Sequence, residues 1–312
     1  MATERITLVA DRKKGFLRDL AAQKYLLAMA VPAVTLVILF HYLPIYGIVL
    51  AFKDYRIGRG ILGSPWVGLR WFELFFDSPY MGRLLKNTFL LGLYSLLWTF
   101  PAPILLALLL NEIGNGTYKR VVQTISYLPH FISTVIIVGL LKEILSLHGV
   151  VNDLIANVGL EPVHFFARPG WFRTIFIGSG VWQTVGWNSI IFLAALSGVD
   201  PELYEASLVD GANRVQRMIH VSVASILPTI IILFILSLGG ILNTDFQKIL
   251  LMYNPNTYET ADVIDTYVYR EGIVDARYSY GAAVGLFKSL IAFAFVFAAN
   301  MISRKVSDTS LW

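Results

Sequence analysis

Cysteine is absent from this chain of 312 residues, which excludes disulfides, thiolate metal sites and cysteine nucleophiles. Charge is scarce. Asp, Glu, Lys and Arg make up 15% of the residues, against about 25% in soluble globular proteins. A soluble body of this size would have too few charges to cover its surface. Hydrophobic residues reach 56%, which excludes a disordered chain and points to an integral membrane protein. The net charge of +4 is modest, and the basic residues sit between apolar runs rather than in one patch, so nucleic acid is excluded as a partner.

What the chain has is apolar length. A bilayer core about 30 Å thick takes about 20 helical residues. Six windows of roughly that size are free of acidic residues and, with one exception, of basic ones: 25–52, 88–110, 121–141, 174–199, 226–242 and 280–302. The fifth is short unless it begins near Val221, and the first is long enough to tilt or to bend at Pro32 or Pro44. Arg5, Arg12, Lys13, Lys14, Arg18 and Lys24 precede the first window. That arrangement imitates a signal peptide, with Ala28-Met29-Ala30 as a cleavage pattern, but these alanines lie inside the apolar segment, so an uncleaved first span is expected. The reading is an all-α integral membrane protein of six spans over 25–303, with 1–24 and 304–312 outside the bilayer. An even number of spans puts both termini on one side. Twelve Lys and Arg would then share the side of the termini and eleven the other, so the positive-inside rule decides little; the clustered amino-terminal charges lean towards an inside start.

Carboxylates are missing from the spans. The only formal charge inside them is Lys288, and Asp245 stands just past the fifth. Ion-coupled carriers need intramembrane carboxylates or broken helices to hold the coupling ion, so an ion-coupled secondary sugar transporter is the weaker alternative. HExxH and GxSxG are absent, and the nearest approach to a phosphate-binding loop, GAAVGLFKS at 281–289, has Phe287 where glycine is required. The chain is therefore read as no enzyme, and any energy for transport comes from another chain. Lys288 either snorkels or faces a polar cavity.

The segment 200–228, DPELYEASLVDGANRVQRMIHVSVASILP, is different in kind. Asp200 can cap a helix, Pro201 fits its first turn, and Glu202 complements the positive end of the helix dipole. That helix runs to about Asp210, where Gly211 supplies the turn. Beyond it Val215, Met218, Ile219 and Ser222 share a helical face. The pattern predicts a short helix, a glycine turn and a second short helix between the fourth and fifth spans. An amphipathic interfacial helix without a partner would share that pattern.

Glu205, Ala206 and Ser207, three residues and then Gly211, with Asp210-Gly211-Ala212 as DGA, resemble the EAA loop of binding-protein-dependent ABC importer permeases. The sequence departs from that pattern at 221–224, where VSVA replaces IxLP; Pro228 follows four residues later. PIYGIVLAFKDY from Pro44, SPWVGLRWF from Ser64, YLPHFIS from Tyr127, ALSGVDPELYEAS from Ala195, IDTYVYREGI from Ile264 and YSYGAAVGLFKS from Tyr278 extend the resemblance over nearly the whole chain. It is similar to the carbohydrate-uptake permeases of the maltose type, in the subgroup serving oligosaccharide and polysaccharide-fragment importers, and within that subgroup to the first membrane subunit of alginate oligosaccharide importers.

The resemblance implies a type I ABC importer transmembrane domain in a bacterial inner membrane, with the EAA loop and both termini cytoplasmic. Glu205, Ala206, Ser207, Asp210, Gly211 and Ala212 would couple the spans to an ATPase. The expected partners are a second homologous permease, two ATP-binding subunits that hold ATP and Mg, and an extracytoplasmic solute-binding protein; no cofactor is expected in this chain. Sugars are held by aromatic faces and planar polar groups, so Trp182, Gln183, Trp187 and Asn188 in the fourth span are candidates for the substrate path. Asn243 and Asp245, after Gly239-Gly240, join them, as does Lys288. Tryptophan also anchors spans, and Asn, Gln and Gly also join helices. For an acidic oligosaccharide such as an alginate fragment, Lys288, Arg173 and Lys248 could supply positive charge. Asp262, Asp265, Glu271 and Asp275 in outer loops could suit a docking binding protein.

Overall fold

The computed structural model describes residues 23–306 apart from Asn115. Five of the six amino-terminal basic residues and most of the carboxy-terminal segment lie outside the described residues. Internal contacts divide the chain into two units, 1–68 and 69–312. Among the described residues there is no strand; one isolated bridge, Lys53 with Trp66, stands beside an otherwise helical chain.

The first unit contains α1 (Lys24–Phe52). It is α-helical over Lys24–Val37, widens to a π turn over Ile38–Tyr42 and tightens to a 3-10 helix over Leu43–Phe52. Proline has no amide hydrogen and its ring crowds the preceding turn, and the winding changes next to Pro44; Pro32 sits within the regular part. Phe52 stacks on Trp66 with ring centroids 5.7 Å apart.

The second unit is built around one long helix. α2 (Met81–Glu112) is interrupted at Phe100, just ahead of Pro101. α3 (Thr117–Phe131) and α4 (Thr134–Ile144) meet at 101°, with Pro129 before the corner and the Ser133 hydroxyl capping α4. α5 (Pro169–Ser197) is the centre, in contact with both parts of α2, with α3, with α7 (Arg214–Gly239) and with α8 (Phe246–Met252). α6 (Pro201–Val209) precedes α7, while α9 (Ile264–Val268) and α10 (Tyr278–Val306) close the unit. Glycine lets the backbones approach. A Cβ on Gly186 of α5 would lie 2.1 Å from the Ser126 carbonyl oxygen of α3, and one on Gly92 of α2 would lie 1.8 Å from that of Ile241, after α7. Close packing of this kind replaces the hydrophobic drive that lipid does not provide.

The span count differs from the six windows. α1, α2, α7 and the stretch Tyr278–Ala298 of α10 are long and apolar enough to cross a bilayer, and the bent pair α3–α4 makes a fifth if it forms one span. The third window is divided by that bend. The fourth falls on α5, which has 29 residues but carries Gln183, Thr184, Asn188 and several serines and glycines, and so lacks the apolarity of a lipid-facing helix. The fifth is longer than its window. The second helix of the expected helix-turn-helix is not separate: it runs from Arg214 into α7 without a break, through a π turn at Met218–Val223, to 26 residues in all. That wider turn occupies the place where the sequence departs from IxLP.

Two apolar clusters lie at opposite ends of α5. One joins Phe172, Phe176 and Ile177 to Leu91, Val138, Ile249 and Met252. The other joins Phe192 and Leu196 to Ala107, Leu108 and Ile226. The polar part of α5 lies between them.

Candidate functional site

A cavity of about 480 Å³ occupies that middle region. Gly180, Gln183, Thr184 and Asn188 of α5 line it, at the i, i+3, i+4, i+8 spacing of one helical face. α2 contributes Ser95 and Thr99 across from them. The third side is the chain that leaves α7: Gly240, Asn243, Thr244, Asp245 and then Lys248 of α8. The helix ends at Gly239, turns, and restarts with the Asp245 carboxylate capping α8 by accepting the Lys248 backbone N–H at 3.0 Å.

Gln183, Asn188, Asn243 and Asp245 are thus brought together. Trp182, Trp187 and Lys288 are placed elsewhere. Trp187 stacks on His130 with centroids 4.5 Å apart and planes at 2°, and Phe131 meets it edge-on. Trp182 stands with Leu141 of α4 and Leu145 just after it around a separate, smaller hollow. Gln183 and Trp187, four residues apart, do not act together: the first reaches the cavity and the second packs on α3. Ser95, Thr99, Gly180 and Thr184 were not singled out in the sequence, although the spacing of Gly180, Thr184 and Asn188 with Gln183 carries the signal.

The cations fall into two classes. Lys288 is paired with Asp265 of α9, its Nζ 2.7 Å from each carboxylate oxygen. Arg173 donates to Asn87 Oδ1 at 2.8 Å, outside the cavity lining. Lys248 lines the cavity. Its Nζ donates to the Phe176 carbonyl at 3.0 Å and lies 5.1 Å from the Phe176 ring centroid. Burial pushes its pKa down to about 8, against the opposing pull of Asp245.

A second polar cluster stands away from the cavity. Asp262 is fully buried and accepts from Arg83 at 3.3 Å, from Arg270 at 3.2 and 2.9 Å, and from the Thr266 hydroxyl at 2.9 Å. Arg270 also lies over the Tyr258 and Tyr267 rings. Burial alone would lower the Arg270 pKa, but hydrogen bonds from the guanidinium to Asp262 and the charge of that carboxylate raise it overall. Of the four acidic residues expected at a docking face, Asp262 is therefore enclosed, Asp265 holds Lys288, and Glu271 pairs with Arg277. Asp275 is exposed. Loop carboxylates close to arginines in space are neutralised at home, which their spacing in the chain does not display.

The segment 200–228 presents a compact ridge. Asp200 caps α6 by accepting the Glu202 N–H at 3.0 Å, Gly211 takes φ +77° at the turn, and Asn213 with Gln216 forms a capping box at the start of α7. Glu205, Ala206, Asp210 and Gly211 are exposed, and Ser207 and Ala212 half-buried. Apolar Leu203, Leu208, Val209, Val215 and Ile219 are exposed beside them, Val209 at 89%. Tyr204 anchors the ridge: its hydroxyl is 2.9 Å from Ser222 Oγ in the π turn of α7 and 3.4 Å from Asn111 Nδ2 at the end of α2. The sequence reading did not identify that tyrosine.

Residues 80–308 match the family of binding-protein-dependent transport system inner membrane components. The chain is 42% identical over 306 residues to Protein LplB of Bacillus subtilis (strain 168), covering 98% of this chain and 96% of that protein. It is 41% identical over 312 residues to the polygalacturonan/rhamnogalacturonan transport system permease protein YteP of the same organism, covering 100% and 97%. Its fold is similar to that of a chain in the crystal structure of a bacterial ABC transporter involved in the import of the acidic polysaccharide alginate, with TM-score 0.86 and 43% identity over 94% of this chain and 99% of that one. A second structure, of a bacterial alginate ABC transporter in complex with an alginate pentasaccharide-bound periplasmic protein, matches with the same TM-score at 42% identity.

Proposed function

The chain belongs to the family of binding-protein-dependent transport system inner membrane components, and from that premise we propose that it forms one half of the translocation path of an importer for acidic oligosaccharides. As a permease it is the membrane component of an ABC importer and carries no ATPase site of its own; the ion-coupled carrier has no support within this family. The observation that carries the substrate reading is the cavity, where Ser95, Thr99, Gln183, Thr184, Asn188 and Asn243 put hydroxyl and amide groups, with the charged Asp245 and Lys248, among apolar side chains. Such a lining suits a polyhydroxylated ligand that must be held and then released. The acidity of the ligand rests on relatives named for polygalacturonan, rhamnogalacturonan and alginate transport.

In this reading the chain crosses the membrane six times, with α5 and the α3–α4 pair each counted as a crossing and both termini cytoplasmic. The ridge at 200–228 docks in a groove of an ATPase. Its exposed apolar side chains become the contact, and Glu205, Ala206, Ser207, Asp210, Gly211 and Ala212 form its backbone-accessible crest. A second permease completes the path, two ATPase subunits bind ATP and Mg, and a binding protein delivers sugar from outside. Closure of the ATPases moves the ridge, and through Tyr204 it moves α7 and α2 between inward-open and outward-open arrangements. The test is purification of the tagged chain from native membrane followed by reconstitution. The complex is expected to contain ATPases and a second permease and to take up uronate oligosaccharide only with ATP and binding protein. A chain that purifies alone, or a complex that transports no oligosaccharide, overturns the reading.

A further inference from the structure

Resting on the reading of the cavity as an oligosaccharide path, we propose that Lys248 makes this path selective for carboxylate-bearing sugars, its ammonium receiving a uronate carboxylate. Among the described lysines and arginines it is the one that lines the cavity. Lys288 is held by Asp265, and Arg173 is engaged with Asn87 outside the lining.

The surroundings of Lys248 are those of a site awaiting an anion. The side chain is 2% exposed, so water does little to screen its charge. No carboxylate among the described residues lies within ion-pair distance of it. Asp245, the nearest acidic neighbour, has one oxygen turned to the Lys248 backbone N–H. One of the three ammonium donors goes to the Phe176 carbonyl. A Cβ on Gly180 would stand 3.6 Å from Nζ, so the glycine leaves open the space beside the ammonium. The Thr244 hydroxyl, in the same lining, is buried and has no hydrogen-bond partner among the described residues. A buried ammonium with no carboxylate in ion-pair contact, offset only in part by the charge of Asp245, and a buried hydroxyl without a partner both cost free energy. A carboxylate entering the cavity beside Gly180 would give the ammonium the anionic acceptor it lacks.

The test uses the full importer in proteoliposomes with saturating binding protein. Uptake of a uronate oligosaccharide is compared with uptake of its carboxyl-reduced neutral counterpart. The readout is the ratio of the two, in wild type, Lys248→Met, Lys248→Gln and Lys248→Arg. We expect the ratio to fall by about tenfold to a hundredfold in Lys248→Met and Lys248→Gln, the worth of one hydrogen bond to a charged group, and to survive in Lys248→Arg. If the lysine only ties α8 to α5 through Phe176, both substrates decline together at an unchanged ratio, and the proposal is overturned. Lys248→Met keeps the length and removes the buried charge, so a folded variant remains available if Lys248→Gln does not insert. A wild-type complex that carries neither sugar defeats the transport reading itself; one that carries uronate with a ratio insensitive to Lys248 defeats this inference alone.

Discussion

The ammonium of Lys288 sits 2.7 Å from both carboxylate oxygens of Asp265, across the contact between α10 and α9. The one charge inside the predicted spans is therefore neutralised within the chain, and neither snorkelling nor a free cavity cation describes it. Removing one member leaves the other half-buried and unpaired. Lys288→Met should lower stability by about 1–3 kcal/mol, read as a loss of detergent-solubilised protein on heating, and Lys288→Met with Asp265→Leu should recover much of it. The uronate-to-neutral uptake ratio should stay at the wild-type value; a collapse of that ratio would return Lys288 to the substrate path.

Asp262 holds a larger share of the second unit together. It is fully buried between Arg83 of α2 and Arg270, and its backbone carbonyl accepts from Asn87, which itself accepts from Arg173 of α5. Asp262→Asn would keep the shape and remove the charge, leaving two partly exposed guanidinium groups to the Tyr80, Tyr258 and Tyr267 rings and to solvent. A penalty of about 1–3 kcal/mol follows from removing the charged acceptor of these hydrogen bonds. The expected result is less folded protein in the membrane, checked by protease protection. Normal accumulation of Asp262→Asn would show that water reaches the cluster.

How far these features could be read in advance depended on whether they were local. Asp200, Pro201 and Gly211 act through their own neighbours in sequence, so the start of α6 and the turn after it were legible; the Asn213–Gln216 capping box is just as local but had not been singled out. The cavity was half legible. Gln183 and Asn188 stood out as polar residues in an apolar helix, but whether Trp182 and Trp187 faced the same way depended on α3 and α4, whose 101° bend brings His130 onto Trp187. The burial of Asp262 was not legible for the same reason. Asp262 is 179 residues from Arg83, and no pattern along the chain joins them.

Gly92 tests the close approach of α2 to the turn after α7. A Cβ there would stand 1.8 Å from the Ile241 carbonyl oxygen, a backbone atom that cannot rotate away. Gly92→Ala should cost about 1–3 kcal/mol through overpacking and should disturb the adjoining cavity wall, lowering uptake. Gly139→Ala, inside α4 with nothing within 4 Å of the new atom, should raise stability by about 0.5–1 kcal/mol through helix propensity. Equal stability of the two variants would mean that this packing is looser than the backbone positions require.

The ridge and its anchor should separate in a coupling assay. Gly211→Val places a branched residue at φ +77°, a strain of about 1–2 kcal/mol, and Glu205→Lys reverses a charge on the exposed crest. Both should lower substrate-stimulated ATP hydrolysis and uptake while the chain still inserts. Tyr204→Phe loses the hydroxyl that joins Ser222 to Asn111 at about 0.5–1.5 kcal/mol. It should keep the ATPases bound but hydrolyse ATP with less transport per cycle. Unchanged stoichiometry of transport to hydrolysis in Tyr204→Phe would remove the tyrosine from the transmission path.

Lys248 also predicts a pH dependence whose sign is fixed by its environment. Burial lowers its pKa to about 8, with the Asp245 carboxylate opposing the shift, so the side chain is a cation below that value and neutral above it. A uronate, with a carboxyl group titrating near the ordinary range of about 4, stays ionised throughout. Raising the pH through about 8 removes the cation and leaves the anion, and the preference for uronate over neutral sugar should decline across that interval. A bound carboxylate stabilises the ammonium, so the decline should lie at higher pH when substrate is saturating than when it is scarce. In Lys248→Arg the guanidinium remains charged, and the ratio should be flat over the same range. A wild-type ratio that does not change with pH, measured beside a flat Lys248→Arg control, would mean that the preference is set elsewhere in the importer.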